Sequence, residues 1–291
     1  MTTSRQGIIL ILCGTLLFSL GGVGIKTCQL DGWTIAGFRS AFAAIFFLCL
    51  IPNARRHWSW RSFLVGAALG TTVISFVLAN KTTTAAHSIF IQSSAPLWVL
   101  MISPIFLREK LARHDWVTLP VFIAGLAMLF VVPTKATPLS PSITTGNWLA
   151  LLSGISYGLL IVGLRWLADR GAESAVVFGN GLAFAACLVV ISVTDNDFQM
   201  INDYTQLKDW GLVALMGCVQ IGLAYVLYTR GLRHVTAIRG SLIGLVEPVL
   251  NPIWVFLVFR EEKPTVYTLL GGAAILTATA YHVWSSRDPL K

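Results

Sequence analysis

One face of an apolar segment near the end of the sequence carries small and polar residues at helical spacing. Gly240, Gly244, Glu247 and Asn251 follow one another at intervals of four, three and four residues, so they share one side of a helix. A carboxyl group surrounded by hydrocarbon costs several kcal/mol, and such groups usually face a cavity or a partner rather than lipid. We interpret this face as part of a central pathway, with packing against another helix as the structural alternative.

Glu247 is the residue on this face with the most distinctive chemistry. It lies 11 residues beyond the predicted start of its helix, about 17 Å deep at 1.5 Å per residue, which is near the midplane of a bilayer. Because burial disfavours the charged form of a carboxyl group, one hypothesis is that Glu247 couples transport to proton entry. A second is that it binds a cationic amino group. The structural alternative is a protonated side chain that is hydrogen-bonded to a neighbouring helix.

The same face recurs 152 residues earlier, where Ser88 and Gln92 stand in place of Gly240 and Gly244. Trp98 and Tyr225 are further candidates for binding, because a cavity for an amino acid or an aromatic metabolite needs a few rings and amides. Aromatic residues in membrane helices more often pack or anchor the helix at the interface. The same reasoning, with the same alternative, applies to His87, Tyr157, Gln220 and Tyr228.

Arg39 is a cation inside an apolar segment. It lies six residues into that segment, about 9 Å from the boundary. Its guanidinium group can extend to the interface, cap carbonyl groups or pair with a substrate carboxylate. We favour a structural role over direct binding.

Two prolines interrupt apolar segments at corresponding places. Pro96 and Pro248 each remove the helical hydrogen bond to the carbonyl four residues earlier, at Gln92 and Gly244. A freed carbonyl can bind substrate or let the helix bend. We expect both prolines to act as hinges; simple tolerance of proline in membrane helices is the alternative.

The composition requires a lipid environment for these residues. The chain has 291 residues, of which 55% are hydrophobic and 12% charged, and its mean hydropathy is +0.74. Soluble domains carry about 25% charged residues. The net charge of +8 is spread over short connections, as in membrane proteins, so it does not indicate nucleic-acid binding.

Ten segments are long and apolar enough to cross a bilayer as helices. They are residues 7–25, 33–52, 62–80, 84–107, 114–132, 147–167, 173–194, 209–229, 236–259 and 265–284. With both termini in the cytoplasm, most Lys and Arg residues fall on the inner side, as the positive-inside rule requires. The acidic residues Asp195, Asp197, Asp203 and Asp209 are then expected in a solvated outer loop.

The second half of the chain repeats the first. Pro96 and Pro248 are 152 residues apart, as are Thr84 and Thr236, and the sequence AFAA at 41–44 returns at 183–186. Each half, residues 1–135 and 146–285, holds five predicted spans. Since five is odd, the second half crosses the membrane in the opposite direction. Inverted repeats are typical of secondary transporters, whose substrate site lies near the midplane.

At these residues the chain resembles the drug/metabolite transporter superfamily, in particular the EamA-domain family. The resemblance rests on two five-helix halves, Arg39 in the second span, the mid-helix prolines of the fourth and ninth spans, and a terminal glutamate after each of these two spans, Glu109 and Glu261. It implies an all-α protein of the inner (cytoplasmic) membrane, a monomer or homodimer, that exports amino acids or related small metabolites by alternating access. A passive facilitator or channel is the alternative.

The sequence carries no signature of an enzyme, a metal site or a cofactor site. It has no phosphate-binding lysine loop, HExxH, CxxC or GxSxG motif, and its five cysteines have no metal-ligand spacing. An intramembrane enzyme would need paired catalytic groups at one depth, and only Glu247 and Arg39 are deep. We therefore expect the partners to be a small metabolite, the lipid bilayer and, as one hypothesis, protons.

Overall fold

The computed structural model describes residues 2–108, 113–131, 135–167, 171–194, 204–244 and 246–285. The features expected at Glu109 and at Asp195, Asp197 and Asp203 lie outside these ranges. The described residues form fourteen α-helices: α1 Thr2–Phe18, α2 Gly21–Thr27, α3 Gly32–Leu50, α4 Trp60–Thr82, α5 Ala85–Gln92, α6 Ala95–Phe106, α7 Arg113–Val131, α8 Ile143–Trp166, α9 Ala172–Val193, α10 Tyr204–Leu215, α11 Ala224–Leu232, α12 Ala237–Ile243, α13 Val246–Val258 and α14 Val266–Ser285. A 3₁₀ turn, Pro52–Arg55, follows α3, and a π-helical segment, Met216–Leu223, joins α10 to α11.

Eight helical stretches in the described ranges are long and apolar enough to cross a membrane, which confirms the predicted all-helical class. They coincide with eight of the ten predicted spans. The other two, 114–132 and 265–284, are α7 and α14, whose apolar windows Val117–Phe130 and Val266–Ala278 are shorter. A total of ten crossings therefore stays a prediction.

Local chemistry explains where several helices begin. The side chain of Asp31 accepts hydrogen bonds from the backbone N–H groups of Trp33 and Thr34 at the start of α3. Ser59 and Thr84 cap α4 and α5 in the same way. These caps satisfy backbone donors that have no partner within the helix, which is especially important near hydrocarbon.

The fourth and ninth predicted spans are each broken near their centre. Ser93 and Ser94 separate α5 from α6, and the second break follows Gly244 between α12 and α13. Pro96 and Pro248 lie in the first turn of α6 and α13, where a proline leaves fewer carbonyls without a donor than it would in a helix interior. Each proline therefore begins a new helix segment just after the break.

The longest helices pack across the two halves of the sequence. Helix α4 lies against α8 and α9, α3 lies against α9, and α7 lies against α14. Helix α1 packs along α11, with Gly7 and Gly14 at the contact. The core is therefore shared by both halves.

The connections between the long helices lie alternately at one end of the bundle and at the other. At one end, which we call the terminal end, Ser174 Oγ donates to the carbonyl of Ala54 at 3.1 Å, and Arg165 donates to the carbonyl of Leu232 at 3.0 Å. At the other end, which we call the far end, Lys26 Nζ donates to the carbonyls of Thr83 at 3.0 Å and Leu139 at 2.7 Å. This alternation arises because each long helix carries the chain from one end of the bundle to the other.

One expectation for the far end was wrong. Asp209 is 7% exposed, and it accepts a hydrogen bond from the backbone N–H of Gln29 at 3.1 Å. It lies within α10 and binds the loop after α2, so it is a buried partner of the backbone and not part of a solvated loop.

Candidate functional site

Two small cavities lie side by side at the middle of the bundle. The first has a volume of about 40 Å³ and the second about 20 Å³, enough for a few ordered water molecules. Both are lined by Gln92, Tyr157 and Glu247. Each of these residues lies near the middle of its span, so the cavities lie at mid-depth.

Helices from both halves of the chain build the first cavity. Its lining residues are Phe18, Arg39, Thr72, Val73, Phe76, Gln92, Tyr157, Gln220, Ile221, Tyr225 and Glu247. The first six come from α1, α3, α4 and α5, and the last five come from α8, the π-helical segment, α11 and α13. The cavity therefore exists only where the two halves meet.

Arg39 lies fully inside the protein and faces this cavity. Its side chain is 2% exposed, so it does not extend to the interface. Its Nη1 donates to Gln220 Oε1 at 3.4 Å, and Gln220 Nε2 donates to the carbonyl of Phe18 at 3.3 Å. The Nε atom of Arg39 finds no hydrogen-bond partner within the described residues. The guanidinium group thus keeps capacity to bind an acceptor.

Glu247 lines both cavities from the first turn of α13. It is 7% exposed, and its backbone N–H donates to the carbonyl of Gly244 at 3.0 Å across the break. Within the described part of the chain, neither Glu247 nor Arg39 forms an ion pair. A buried guanidinium group and a buried carboxyl group therefore line one cavity without direct contact between them.

The breaks bring two helix N-termini to the second cavity. Ala95 and Pro96 begin α6, Pro248 lies in the first turn of α13, and all three line the cavity with Gly244 and Glu247. A helix N-terminus carries a partial positive charge and unpaired N–H groups. Discontinuous helices that present such ends at the midplane are a recurring way of building transporter sites.

The π-helical segment Met216–Leu223 positions Gln220 in the first cavity. π-Helical turns are uncommon and occur frequently at functional sites. Gly217 allows this segment to approach α3 closely, because a Cβ atom there would lie 2.5 Å from the carbonyl oxygen of Arg39 and 2.5 Å from Phe42 Cβ. The glycine therefore sets the distance between the helix that carries Arg39 and the segment that carries Gln220.

The structure brings seven of the predicted site residues to the cavities. Arg39, Gln92, Tyr225 and Glu247 line the first, and Gly244, Pro96 and Pro248 join Gln92 and Glu247 in the second. Of these, Pro96 and Pro248 were predicted as hinges and the others as binding or coupling residues. Their roles stay predictions.

Three predicted site residues line neither cavity. Ser88 is buried and accepts a hydrogen bond from Asn80 Nδ2 at 2.9 Å. Trp98 donates from Nε1 to Ser94 Oγ at 3.1 Å, next to the break. Asn251 is buried against α2, where a Cβ on Gly22 would lie 2.2 Å from Asn251 Oδ1. In this conformation these side chains contact neighbouring helices.

Sequence reasoning missed several lining residues because they look ordinary. Phe18, Phe76, Thr72 and Val73 are typical of any membrane helix, and neither their type nor their spacing marks them. Gln220 carried a signal as an amide inside an apolar span. The unusual backbone around it was visible only in the structure.

A buried polar network closes the far end of the bundle. Lys26 Nζ lies 2.9 Å from Glu262 Oε1, and both side chains are almost inaccessible. Ser140 Oγ also donates to Glu262 Oε1 at 2.8 Å, and Glu262 Oε2 accepts from the backbone N–H of Ala85 at 2.8 Å. The network joins α2, the start of α5, the loop before α8 and the loop before α14.

A second set of polar contacts lies beside this network. His87 Nδ1 is 3.2 Å from Asn147 Oδ1, and His87 Nε2 is 3.0 Å from Thr268 Oγ1. Thr83 Oγ1 donates to the same Asn147 Oδ1 at 3.0 Å. His87, one of the further candidates for binding, therefore contacts polar side chains at the far end and does not line either cavity.

Cys28 also lies at the far end, just after α2. It is 1% exposed, and burial raises the pKa of its thiol to about 11. Its carbonyl accepts a hydrogen bond from Lys81 Nζ at 2.6 Å. The thiol is therefore both hidden and poorly ionised near neutral pH.

The described residues hold no cluster of three or more His, Cys, Asp or Glu side chains suited to a metal ion. The polar groups around the cavities are instead amides, hydroxyl groups, phenols, one guanidinium and one carboxyl group. Such groups bind a polar organic solute through hydrogen bonds and charge.

A model of the EamA-like transporter family matches residues 5–131 and 144–284. The chain belongs to the EamA-like transporter family. With its apolar helices, this makes it a multi-pass membrane protein of a transporter family.

Individual relatives agree with this family. The chain is 26% identical over 280 residues to the pseudopaline exporter CntI of Pseudomonas aeruginosa, which covers 94% of each chain. It is 24% identical over 269 residues to an uncharacterized transporter of Archaeoglobus fulgidus, covering 91% of this chain and 90% of that one. A crystal structure that is 15% identical superposes with a TM-score of 0.70 over 97% of this chain and 98% of the other, which shows a shared fold.

Proposed function

We propose that this EamA-like transporter is a secondary carrier that exports amino acids or related small metabolites by alternating access. The observation that carries the proposal is the unpaired coexistence of Arg39 and Glu247 in one buried, mid-depth cavity. A zwitterion presents a carboxylate and an ammonium group together. Arg39 is suited to bind the carboxylate, and Glu247 is suited to bind the ammonium group.

The rest of the cavity fits the same class of substrate. Gln92 and Gln220 supply amide donors and acceptors, while Phe18, Phe76 and Tyr225 supply apolar and aromatic surface. Both breaks place helix N-termini at the adjoining cavity, where they favour an anionic group. The relative named as a pseudopaline exporter supports export as the direction.

The two halves, 1–135 and 146–285, form inverted repeats in this proposal. The family model matches twice, and both halves break a helix just before an equivalent proline. Charged residues also correspond. Arg233 pairs with Glu173 at the start of α9, and Lys81, 152 residues before Arg233, lies within electrostatic reach of Asp31 at the start of α3. In the proposed orientation, the terminal end and both termini face the cytoplasm and the far end faces outward.

A carrier explains the closed far end better than a passive facilitator does. The buried network around Lys26 and Glu262 joins four parts of the chain beyond the cavities. A pore would have to be open at both ends at once. A carrier opens one end at a time, so it needs a seal that can be broken and remade.

Proton coupling through Glu247 is the mechanism that we propose for driving export. The carboxyl group binds a proton when the cavity faces outward and releases it when the cavity faces the cytoplasm. Substrate bound at Arg39 and Glu247 leaves outward as the proton enters. Because Glu247 is nine-tenths buried, its charge state depends on which end is open.

The test is counterflow in proteoliposomes. Vesicles that contain the purified protein are loaded with one unlabelled amino acid at a time, and uptake of the labelled form is measured with and without an imposed pH gradient. We expect saturable counterflow for a subset of amino acids and a dependence on the gradient. A flux that rises linearly with concentration and shows no counterflow would favour the facilitator.

The matched pair for this test is Glu247→Gln and Glu261→Gln. Glu261 is exposed at the far end, so its amide variant controls for the change in chemistry. We expect Glu247→Gln to abolish the response to the pH gradient, and Glu261→Gln to retain it. An unchanged pH dependence in Glu247→Gln would remove proton coupling through this residue from the proposal.

A further inference from the structure

A groove on the outer surface of the bundle differs from the central cavities in both position and chemistry. It lies between α4, α6 and α8 and has a volume of about 220 Å³. Its lining residues are Leu64, Val65, Ala68, Ile102, Phe106, Leu159, Val162, Gly163 and Trp166. Leu64 and Phe106 are more than half exposed, so the groove opens towards the membrane.

The groove begins at the terminal end and runs into the bilayer. Trp166 is the last residue of α8, and Trp60 is the first of α4. From Trp60 to Ala68 the helix rises about 12 Å, so the groove passes from the interface into the hydrocarbon region. Tryptophans at such a boundary mark the level of the lipid headgroups.

A cation lies at the mouth of the groove. The guanidinium carbon of Arg61 is 4.9 Å from the centre of the Trp166 ring and 5.6 Å from that of Trp60. Arg61 is exposed, and it is three residues before Leu64, so the two share one face of α4. A guanidinium group that stacks on a ring uses its flat face, and its in-plane N–H groups stay available for a phosphate.

We propose that this groove is a binding site for one anionic phospholipid. The phosphate is held by Arg61 between the two tryptophans, and one acyl chain lies along Leu64, Ala68 and Phe106. Charge complementarity selects the occupant: a basic residue placed beside an apolar groove between membrane helices fits an anionic headgroup with its chain. The inference does not depend on what the central cavities transport.

The test measures which lipids stay bound after purification. The protein is extracted from mixed vesicles of phosphatidylglycerol and phosphatidylcholine, and the retained lipid is identified by native mass spectrometry. We expect phosphatidylglycerol to be retained preferentially, and Arg61→Gln to reduce that preference about fivefold, as the loss of one interfacial cationic contact implies.

Two further variants distinguish lipid binding in the groove from a general effect of surface charge. Arg56→Gln removes an exposed arginine from the same end without touching the groove, and it should retain the wild-type preference. Ala68→Phe fills the groove while leaving Arg61 in place, and it should lose the retained lipid. Equal retention of both lipids by the wild type, or an equal loss in Arg56→Gln and Arg61→Gln, would overturn the proposal.

Discussion

Lys26 Nζ and Glu262 Oε1 lie 2.9 Å apart with almost no access to solvent, although 236 residues separate them in the sequence. Lys26 also donates to two carbonyls and one hydroxyl oxygen, and Glu262 accepts from a backbone N–H and a hydroxyl group. Desolvation makes such a pair costly, and these additional hydrogen bonds offset that cost. The ion pair and its hydrogen bonds therefore hold four parts of the chain together.

Removing one partner of this pair should destabilise the protein strongly. We expect Lys26→Met or Glu262→Gln to cost about 3–5 kcal/mol, because each leaves a buried polar group without its counter-charge. Thermal unfolding in detergent measures the change. The double variant Lys26→Met/Glu262→Gln should recover part of the loss. Single variants as stable as the wild type would show that the pair does not hold the far end closed.

Labelling of Cys28 should report whether that end is closed. Burial raises the pKa of the Cys28 thiol to about 11. At neutral pH the thiolate fraction is therefore about a hundredfold below that of an unperturbed thiol. This fraction, and with it the labelling rate, should increase as the pH rises towards 11. In a variant whose other four cysteines are replaced by serine, we expect slow reaction with a membrane-impermeant maleimide.

The Lys26→Met/Glu262→Gln double variant should accelerate this reaction at constant pH. Exposure of Cys28 both removes the steric barrier and lowers the pKa of the thiol. Identical labelling rates with and without the ion pair would place the barrier elsewhere in the far end.

Arg39 is expected to bind the substrate rather than only to stabilise the helix. We expect Arg39→Gln to raise the KM for the substrate at least about tenfold, because a buried charge-assisted hydrogen bond is lost. Arg56→Gln, at an exposed position, should leave transport unchanged. The measurement is initial counterflow rate against substrate concentration. A variant that folds and transports with wild-type KM would argue for a purely structural role.

Gly217 should tolerate no side chain. A methyl group would collide with the backbone carbonyl of Arg39 and with Phe42 Cβ, so we expect Gly217→Ala to destabilise the protein by about 1–3 kcal/mol and to lower transport by moving Arg39 relative to Gln220. Gly211→Ala is the control. A Cβ atom at Gly211 meets nothing within 4 Å, and alanine favours the helix.

The two helix breaks should control the rate of exchange between conformations. We expect Pro96→Ala and Pro248→Ala together to slow counterflow several-fold with little change in KM, because a more continuous helix bends less readily. Pro120→Ala, inside α7 and away from both breaks, should leave the rate unchanged. Faster or unaltered exchange in the double variant would exclude a hinge at these positions.

Hydrophobic runs and the residues within them were enough to predict the helical class, the positions of eight helices long and apolar enough to cross a membrane, and the burial of the Glu247 carboxyl group. The role of Glu247 stays a prediction. Proline spacing also pointed to the places where α5 and α12 end. These features are local, since they depend on composition and on intervals of three or four residues.

Features that depend on the tertiary fold could not be predicted from the sequence in the same way. Nothing near Lys26 marks Glu262 as its partner, and nothing near Asp209 indicates that it binds the backbone of Gln29. The π-helical turn around Gln220 likewise arises where Gly217 meets α3. Such contacts join segments far apart in the chain, and only the packing of the helices determines them.

Because the central cavity takes its walls from both sides of the connection between α7 and α8, the gene cannot be divided there without dividing the site. Two separately expressed fragments would each carry half of the polar groups, one with the guanidinium and the other with the carboxyl. If the proposed function holds, neither fragment alone recognises a zwitterion. With the proposed inverted halves, substrate recognition returns only after the fragments assemble in opposite orientations within the same membrane.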